Sequence, residues 1–199
     1  MTSATLSKPS YRWRVVDIVV AAVVAVACAV VFVGWNIGSH VLDGLGAALP
    51  GLQAIGYGPW LIGGPLAALI IRKPGAALFG ELVAAAVSML LGAPWGLQTL
   101  ESGLVQGLAV EVVFAVFAYR VWSWPVAALS GAAAGVVAGV NDWIFWYPGA
   151  DALFLTIYIV CAGISGAVIA GIGSWALVKA LAQTGALSRF PSGREAARV

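Results

Sequence analysis

The chain has 199 residues; 62% are apolar, only 9% are charged, the net charge is +2 and the mean hydropathy is +1.00. With the 25 glycines counted, about three quarters of the chain is apolar or glycine, against about 45–50% in soluble domains, which also carry about 25% charged residues. This excludes a soluble globular domain, which would lack the polar residues to cover its surface, and equally excludes a disordered chain, leaving a multi-pass membrane protein built as one compact helical domain.

A membrane span needs about 20 mostly apolar residues to cross about 30 Å of hydrocarbon. Six such runs occur in order: Val15–Trp35, Gln53–Ile71, Gly75–Gly92, Gly103–Tyr119, Pro125–Trp146 and Ala152–Leu181. They are continuous rather than alternating, so a β-barrel is excluded. Backbone polar groups in lipid must satisfy one another, so the runs are helices. The sequence thus predicts an all-α membrane protein with six transmembrane helices. The first run is too long for the apolar region of a cleavable signal peptide and no small-residue cleavage site follows it. Lys8, Arg12 and Arg14 precede helix 1, Arg72 and Lys73 join helices 2 and 3, and Arg120 joins helices 4 and 5. Lys179, Arg189, Arg194 and Arg198 end or follow helix 6, so all ten basic residues fall on one side. By the positive-inside rule both termini are expected in the cytoplasm. The domains are then a cytoplasmic segment 1–14, a transmembrane domain 15–182 and a cytoplasmic tail 183–199.

The opposite, outer loops carry no basic residue. The first (36–52) holds His40, Asp43 and Pro50 and is a possible lid; the second (93–102) holds Pro94, Trp95, Gln98 and Glu101; the third (141–151) holds Asn141, Asp142, Trp143, Trp146, Tyr147 and Pro148. Interfacial tryptophans form a belt in most spanning proteins. Here amides and acids accompany them, which makes a shared pocket an equal alternative. Small residues at four-residue spacing form two stripes, Gly131–Gly135–Gly139 on helix 5 and Ala21–Ala25–Ala29 on helix 1. Such stripes let helices approach closely. Packing inside the chain is the plain reading of the first; docking to another membrane subunit is open for the second.

Two acids lie deep in the runs. A charge at mid-membrane costs about 2.5–3.5 kcal/mol on insertion scales and is functional by default. Glu81 lies eight residues beyond Lys73 and Glu111 nine before Arg120, which places both about 12–14 Å into the membrane at the helical rise. Both sit on small-residue faces: Glu81 with Ala85, Ser88 and Trp95, and Glu111 with Gly103, Gly107 and Ala115. They are expected to face one cavity, or else to bond each other as mere helix glue. Tyr57, Trp60, Gln106, Asn141 and Asp142 lie towards the outer side. Carboxylates, amides and aromatic faces in one hollow suit a flat, nitrogen-rich cation.

Other chemistries are excluded or weak. No P-loop and no H-E-x-x-H motif occurs. One histidine and two separated cysteines make a transition-metal cage improbable, and Cys28 and Cys161 read as small buried hydrophobes. Gly163-Ile164-Ser165-Gly166 matches an intramembrane serine-protease motif over four residues, without a suitably placed histidine. No basic aromatic patch points to nucleic acid. No catalytic residue, cofactor or metal is assigned.

The segment IRKPGAALFGELVAAAVSMLLGAPWG (71–96), with Gln106-Gly107, Glu111, Phe114 and Tyr119-Arg120, resembles the YkoE-type substrate-binding (S) components of energy-coupling factor (ECF) vitamin transporters. Six helices and about 200 residues agree with that family, and the alanine stripe Ala21–Ala25–Ala29 resembles its docking motif. The resemblance implies a non-enzymatic, multi-pass subunit of the cell membrane. It would capture thiamine or its hydroxymethylpyrimidine precursor from outside, in association with a transmembrane coupling subunit and two ATPases. Glu81, Trp95 and Glu111 fall within the matching motifs and are implied site residues. Tyr57, Trp60, Gln98, Gln106, Asn141, Asp142 and Trp146 are added from their depth and side. Relatives labelled as cobalt permeases fit poorly with a single histidine. A structural subunit without a ligand and a stand-alone proton-coupled carrier are the alternatives.

Overall fold

A computed structural model describes residues 11–196, which contain helices and no strand; Lys8 and Arg198 lie outside the described residues. Helix α1 (Val15–Gly38) continues through a 3₁₀ turn at Ser39–Leu42 into α2 (Asp43–Ala48). Two further 3₁₀ turns, Leu52–Gly56 and Gly58–Leu61, lead to α3 (Gly63–Ile71). Then follow α4 (Ala76–Leu90), α5 (Gln98–Val116) and α6 (Trp124–Phe145). The last long rod is α7 (Ala152–Ser165), a π-helical stretch at Gly166–Gly173 and α8 (Ser174–Gln183), before a short α9 (Pro191–Ala196).

Four stretches are long and apolar enough to cross a membrane: Val15–Ala48, Gln98–Val116, Trp124–Phe145 and Ala152–Gln183. The second and third expected spans are shorter, Gly58–Ile71 and Ala76–Leu90. The second is broken for a chemical reason. Pro59 and Pro65 lack a backbone N–H, and Gly56, Gly58, Gly63 and Gly64 weaken the helix around them. Irregular backbone at membrane depth survives only inside protein or beside a water-filled cavity. Here α3 is buried along its whole length, and the turns before it form part of a cavity wall.

Close approach of small residues sets the packing. A Cβ on Gly131 would meet the backbone of Gly166 and Gly171, and one on Gly135 the backbone of Ala162. The α6 glycine stripe therefore packs inside the chain, against α7 and the π-helical stretch. The alanine stripe of α1 requires a correction. Ala21, Ala25 and Ala29 are each 0% exposed, so they are spent on the chain's own core and are not available as a docking surface. The outward face of α1 is instead branched and apolar, with Val19, Val23 and Val30 exposed.

The described basic residues gather at one end, where the loops are tied together. Buried Asp17 pairs with Arg14 at 2.8 Å and with Lys73 at 2.5 Å. Lys73 also donates to the Arg12 carbonyl, and the Trp13 indole donates to the Pro74 carbonyl. Residues 184–194 pack onto the bundle. Leu187 and Phe190 are buried and the Ser192 hydroxyl donates to the Ile70 carbonyl.

Substitution separates close packing from free helix surface. Gly131→Ala drives a methyl into backbone and is expected to cost about 1–3 kcal/mol, seen as a lower thermal unfolding midpoint in detergent. Gly34→Ala, where a Cβ meets nothing within 4 Å, is expected to leave the midpoint unchanged or raise it, since alanine favours helix by up to about 1 kcal/mol.

Candidate functional site

A cavity of about 430 Å³ opens at the end opposite the basic cluster. This lies within the size range of small-ligand pockets. The broken segment before α3 contributes Gln53, Ala54, Tyr57 and Trp60; α4 contributes Glu81, Ala85 and Ser88. From α5 and the loop before it come Trp95, Gln98, Thr99, Ser102, Gly103 and Gln106, and from α6 and α7 come Asp142, Trp146, Tyr147 and Tyr158. Ser39 and Leu42 of the first outer connection also reach it. The stripe Glu81–Ala85–Ser88 follows directly from helical spacing.

Glu81 is 1% exposed. Its Oε2 accepts the backbone N–H of Gly64 at 2.6 Å. Its Oε1 is buried with no partner in the chain. A buried polar atom without a partner costs about 1–3 kcal/mol, more when charged, and calls for an explanation. Among the described side chains the other such atoms are Gln98 Nε2 and Thr99 Oγ1. All three belong to residues that line this one cavity. One acceptor, one amide donor and one hydroxyl therefore await a partner around the same hollow.

Several other polar groups are held firmly. Asp142 accepts the hydroxyls of Tyr57 at 2.9 Å and Tyr158 at 2.7 Å. The Trp60 indole donates to Asn36 Oδ1 at 2.7 Å, and the Trp35 indole donates to the Gly56 carbonyl. These bonds orient an aromatic wall in which Trp60 meets Trp35, Tyr57 and Trp95 edge to face, with centroids 5.7–6.3 Å apart. Aromatic walls of this kind suit a flat or cationic guest. No histidine or cysteine lines the cavity, and among the described residues no group of three His, Cys, Asp or Glu side chains is placed to hold a metal ion.

Residues 16–137 match the family described as ABC-type cobalt transport system, permease component. The chain is 37% identical over 184 residues to YkoE of Bacillus subtilis (strain 168), a proposed HMP/thiamine permease protein, covering 92% of each chain. A crystal structure of an S component of an ECF transporter superposes with a TM-score of 0.86 at 35% identity, over 94% of each chain. The chain belongs to the YkoE-type S components of ECF transporters. These are membrane transport components.

Of the site residues expected in this S component, Glu81, Trp95, Gln98, Tyr57, Trp60, Gln106, Asp142 and Trp146 all border the cavity. Asn141 stands behind it: its amide donates to Glu101 Oε2 at 3.0 Å and reaches Ser102 Oγ at 3.5 Å. Glu111 is the main correction. It does not border the cavity and does not meet Glu81. Oε1 accepts the Gly75 N–H at 2.6 Å and the Tyr119 hydroxyl at 2.7 Å, while Oε2 accepts the N–H groups of Ala77 and Leu78 at 2.9 and 3.3 Å. Helix α4 starts at Ala76 without a side-chain cap of its own, so its orphan first-turn N–H groups are satisfied by a carboxylate from the neighbouring helix. Tyr158, Thr99 and Phe32 border the cavity too. A lone tyrosine in the apolar run of α7 was the one available sign for Tyr158; Thr99 and Phe32 carried none.

Glu111 is therefore expected to matter for folding. Glu111→Gln removes charge-assisted bonds worth about 1.5–3 kcal/mol each and should lower the thermal midpoint. An unchanged midpoint would contradict the capping role.

Proposed function

We propose that this S component captures thiamine or its hydroxymethylpyrimidine moiety from the outer side of the cell membrane and passes it to an ECF coupling subunit driven by two ATPases. One observation carries this reading: the unpartnered Glu81 Oε1 at the wall of an aromatic cavity. An aminopyrimidine offers N–H donors to that oxygen and ring nitrogens to the Gln98 amide. A thiazolium cation is drawn to the indole faces, by up to about 2 kcal/mol when desolvated. The name of the Bacillus subtilis relative, an HMP/thiamine permease protein, favours the same ligand. For cobalt the donor set is poor: two carboxylates, Glu81 and Asp142, and neutral oxygens, with no imidazole or thiolate. The gathering of the described basic residues at the end away from the cavity supports cytoplasmic termini and an outward-facing site. It also supports six membrane passages, with the two short helices sheltered by the four long ones.

A structural subunit without a ligand would be favoured by a closed cavity and a Glu81–Glu111 pair; the cavity is open and the two acids bind different backbone segments. A proton relay through both acids loses its second member for the same reason.

Tryptophan fluorescence during titration with thiamine and with hydroxymethylpyrimidine tests the reading. Saturable quenching by at least one ligand is expected. Glu81→Gln should weaken binding by about 10-fold to 100-fold, the worth of one charge-assisted hydrogen bond, whereas Glu111→Gln should leave the affinity of the folded protein within about twofold. Absence of quenching by either ligand, or equal affinity of Glu81→Gln and the native chain, would refute it.

A further inference from the structure

The wall of the cavity is one-sided in charge. Two carboxylates, Glu81 and Asp142, line it, and among the described residues no Lys, Arg or His does. A third acid stands close by, since Glu101 Oε2 accepts the amide of Asn141, the residue before Asp142. The ion pairs of Asp17 with Arg14 and Lys73 lie at the other end of the bundle. Buried charges are ordinarily paired. Asp142 is only 9% exposed, yet two neutral phenols, Tyr57 and Tyr158, both donate to its Oδ2. Such donors stabilise a carboxylate without cancelling its charge. The acid also stands in an aromatic corner. Tyr57 and Tyr158 have ring centroids 6.4 Å apart, and Tyr147 and Tyr158 5.2 Å apart; Tyr147 and Trp146 border the cavity beside them. A carboxylate among aromatic rings suits an organic cation.

On the ligand reading proposed above, we infer that Asp142 selects the ligand by charge: it is the fixed counter-charge for a cationic ring, and it turns away a phosphate ester. A ligand with one positive charge completes a wall that has acids and no base. A neutral ring of the same shape leaves Asp142 uncompensated. A phosphate monoester adds a charge of about −1.5 to −2 at pH 7 and meets only neutral donors, such as the Gln98 amide and the Thr99 hydroxyl. Glu81 has a different part. Its free acceptor serves the aminopyrimidine that all these forms share, so it raises affinity without ranking them.

Fluorescence titration of the full chain in detergent, at about pH 7.5, tests this. The ligands are thiamine, its uncharged isostere with thiophene in place of thiazolium, its phosphate monoester, and the acetate ester of the same hydroxyl, which separates charge from size. Thiamine should bind about 10-fold or more tighter than the isostere, and the acetate ester about 10-fold or more tighter than the phosphate ester. Asp142→Asn keeps an acceptor for both phenols and removes the charge; it should shrink each ratio by about fivefold or more, with its circular dichroism spectrum unchanged. Glu81→Gln should weaken the binding of every ligand and leave each ratio within about threefold of the native one. Where Asp142→Asn does not fold, Asp142→Ser takes its place. Equal affinity for thiamine and the isostere, ratios that survive a folded Asp142 variant, or ratios lost in Glu81→Gln would overturn the role of Asp142 while thiamine binding itself stands. Failure of thiamine to bind the native chain would refute the ligand reading, and the charge selection with it.

Discussion

The hydrogen bond from the Gly64 N–H to Glu81 Oε2 anchors the cavity end of this molecule. It fixes one oxygen of a buried carboxylate that lines the cavity and leaves the other without a partner in the chain. Missing side chains around it make room for the bond. A Cβ on Gly63 or Gly64 would stand 3.1 or 3.3 Å from the same oxygen, and one on Gly107 would stand 3.0 Å from Glu81 Cβ. Three glycines on three segments therefore make the seat of one acid. In a low-dielectric surrounding, a fixed and half-satisfied carboxylate is a strong directional acceptor. A group whose geometry is set beforehand leaves little ordering cost to any partner that binds it.

That seat also accounts for the irregular second segment. A regular helix through Leu52–Gly64 would tie the N–H of Gly64 into its own ladder. The two 3₁₀ turns and the prolines start α3 at Gly63, so the first-turn N–H groups remain free to donate elsewhere. The same turns present Tyr57 and Trp60 to the cavity. They are supported from behind, where Ser165 Oγ accepts the Gly58 N–H at 2.8 Å. That serine ends α7 where the rod passes into its π-helical stretch. Departures from α-helix thus occur together at the layer that carries the site.

Much of this was legible in the sequence. Composition and run length are averages over many residues, so the all-helical membrane character and the order of the apolar segments emerged without tertiary information. The spacing of Glu81, Ala85 and Ser88 placed them on one face because a helix within one segment has a fixed period. Two failures share a cause. The depth of Glu111 was reckoned along its own helix, but its fate depends on where the neighbouring helix begins, and Ala76 puts orphan N–H groups within its reach. The alanine stripe of α1 was equally fit for an inner or an outer partner. Small residues signal close approach without saying to what, and Ala21, Ala25 and Ala29 were claimed by the chain's own core. Thr99 shared this ambiguity, since a polar residue near a helix start is ordinarily a solvated cap.

The two glutamates within apolar helices show why burial alone does not identify a binding group. At mid-membrane each would carry the same insertion cost, of order 2.5–3.5 kcal/mol. Glu111 recovers that cost within the chain: it accepts four hydrogen bonds, three of them from the backbone around the start of α4, where the helix dipole also favours a negative charge. Its lone pairs are occupied and little capacity is left for a guest. Glu81 recovers only part, through one bond, and holds an empty acceptor against a cavity. The unrecovered part is what a ligand can supply, so the less stable of the two arrangements is the one with binding capacity. In a chain this poor in polar residues, the count of bonds already made distinguishes an acid spent on structure from one with bonding capacity left.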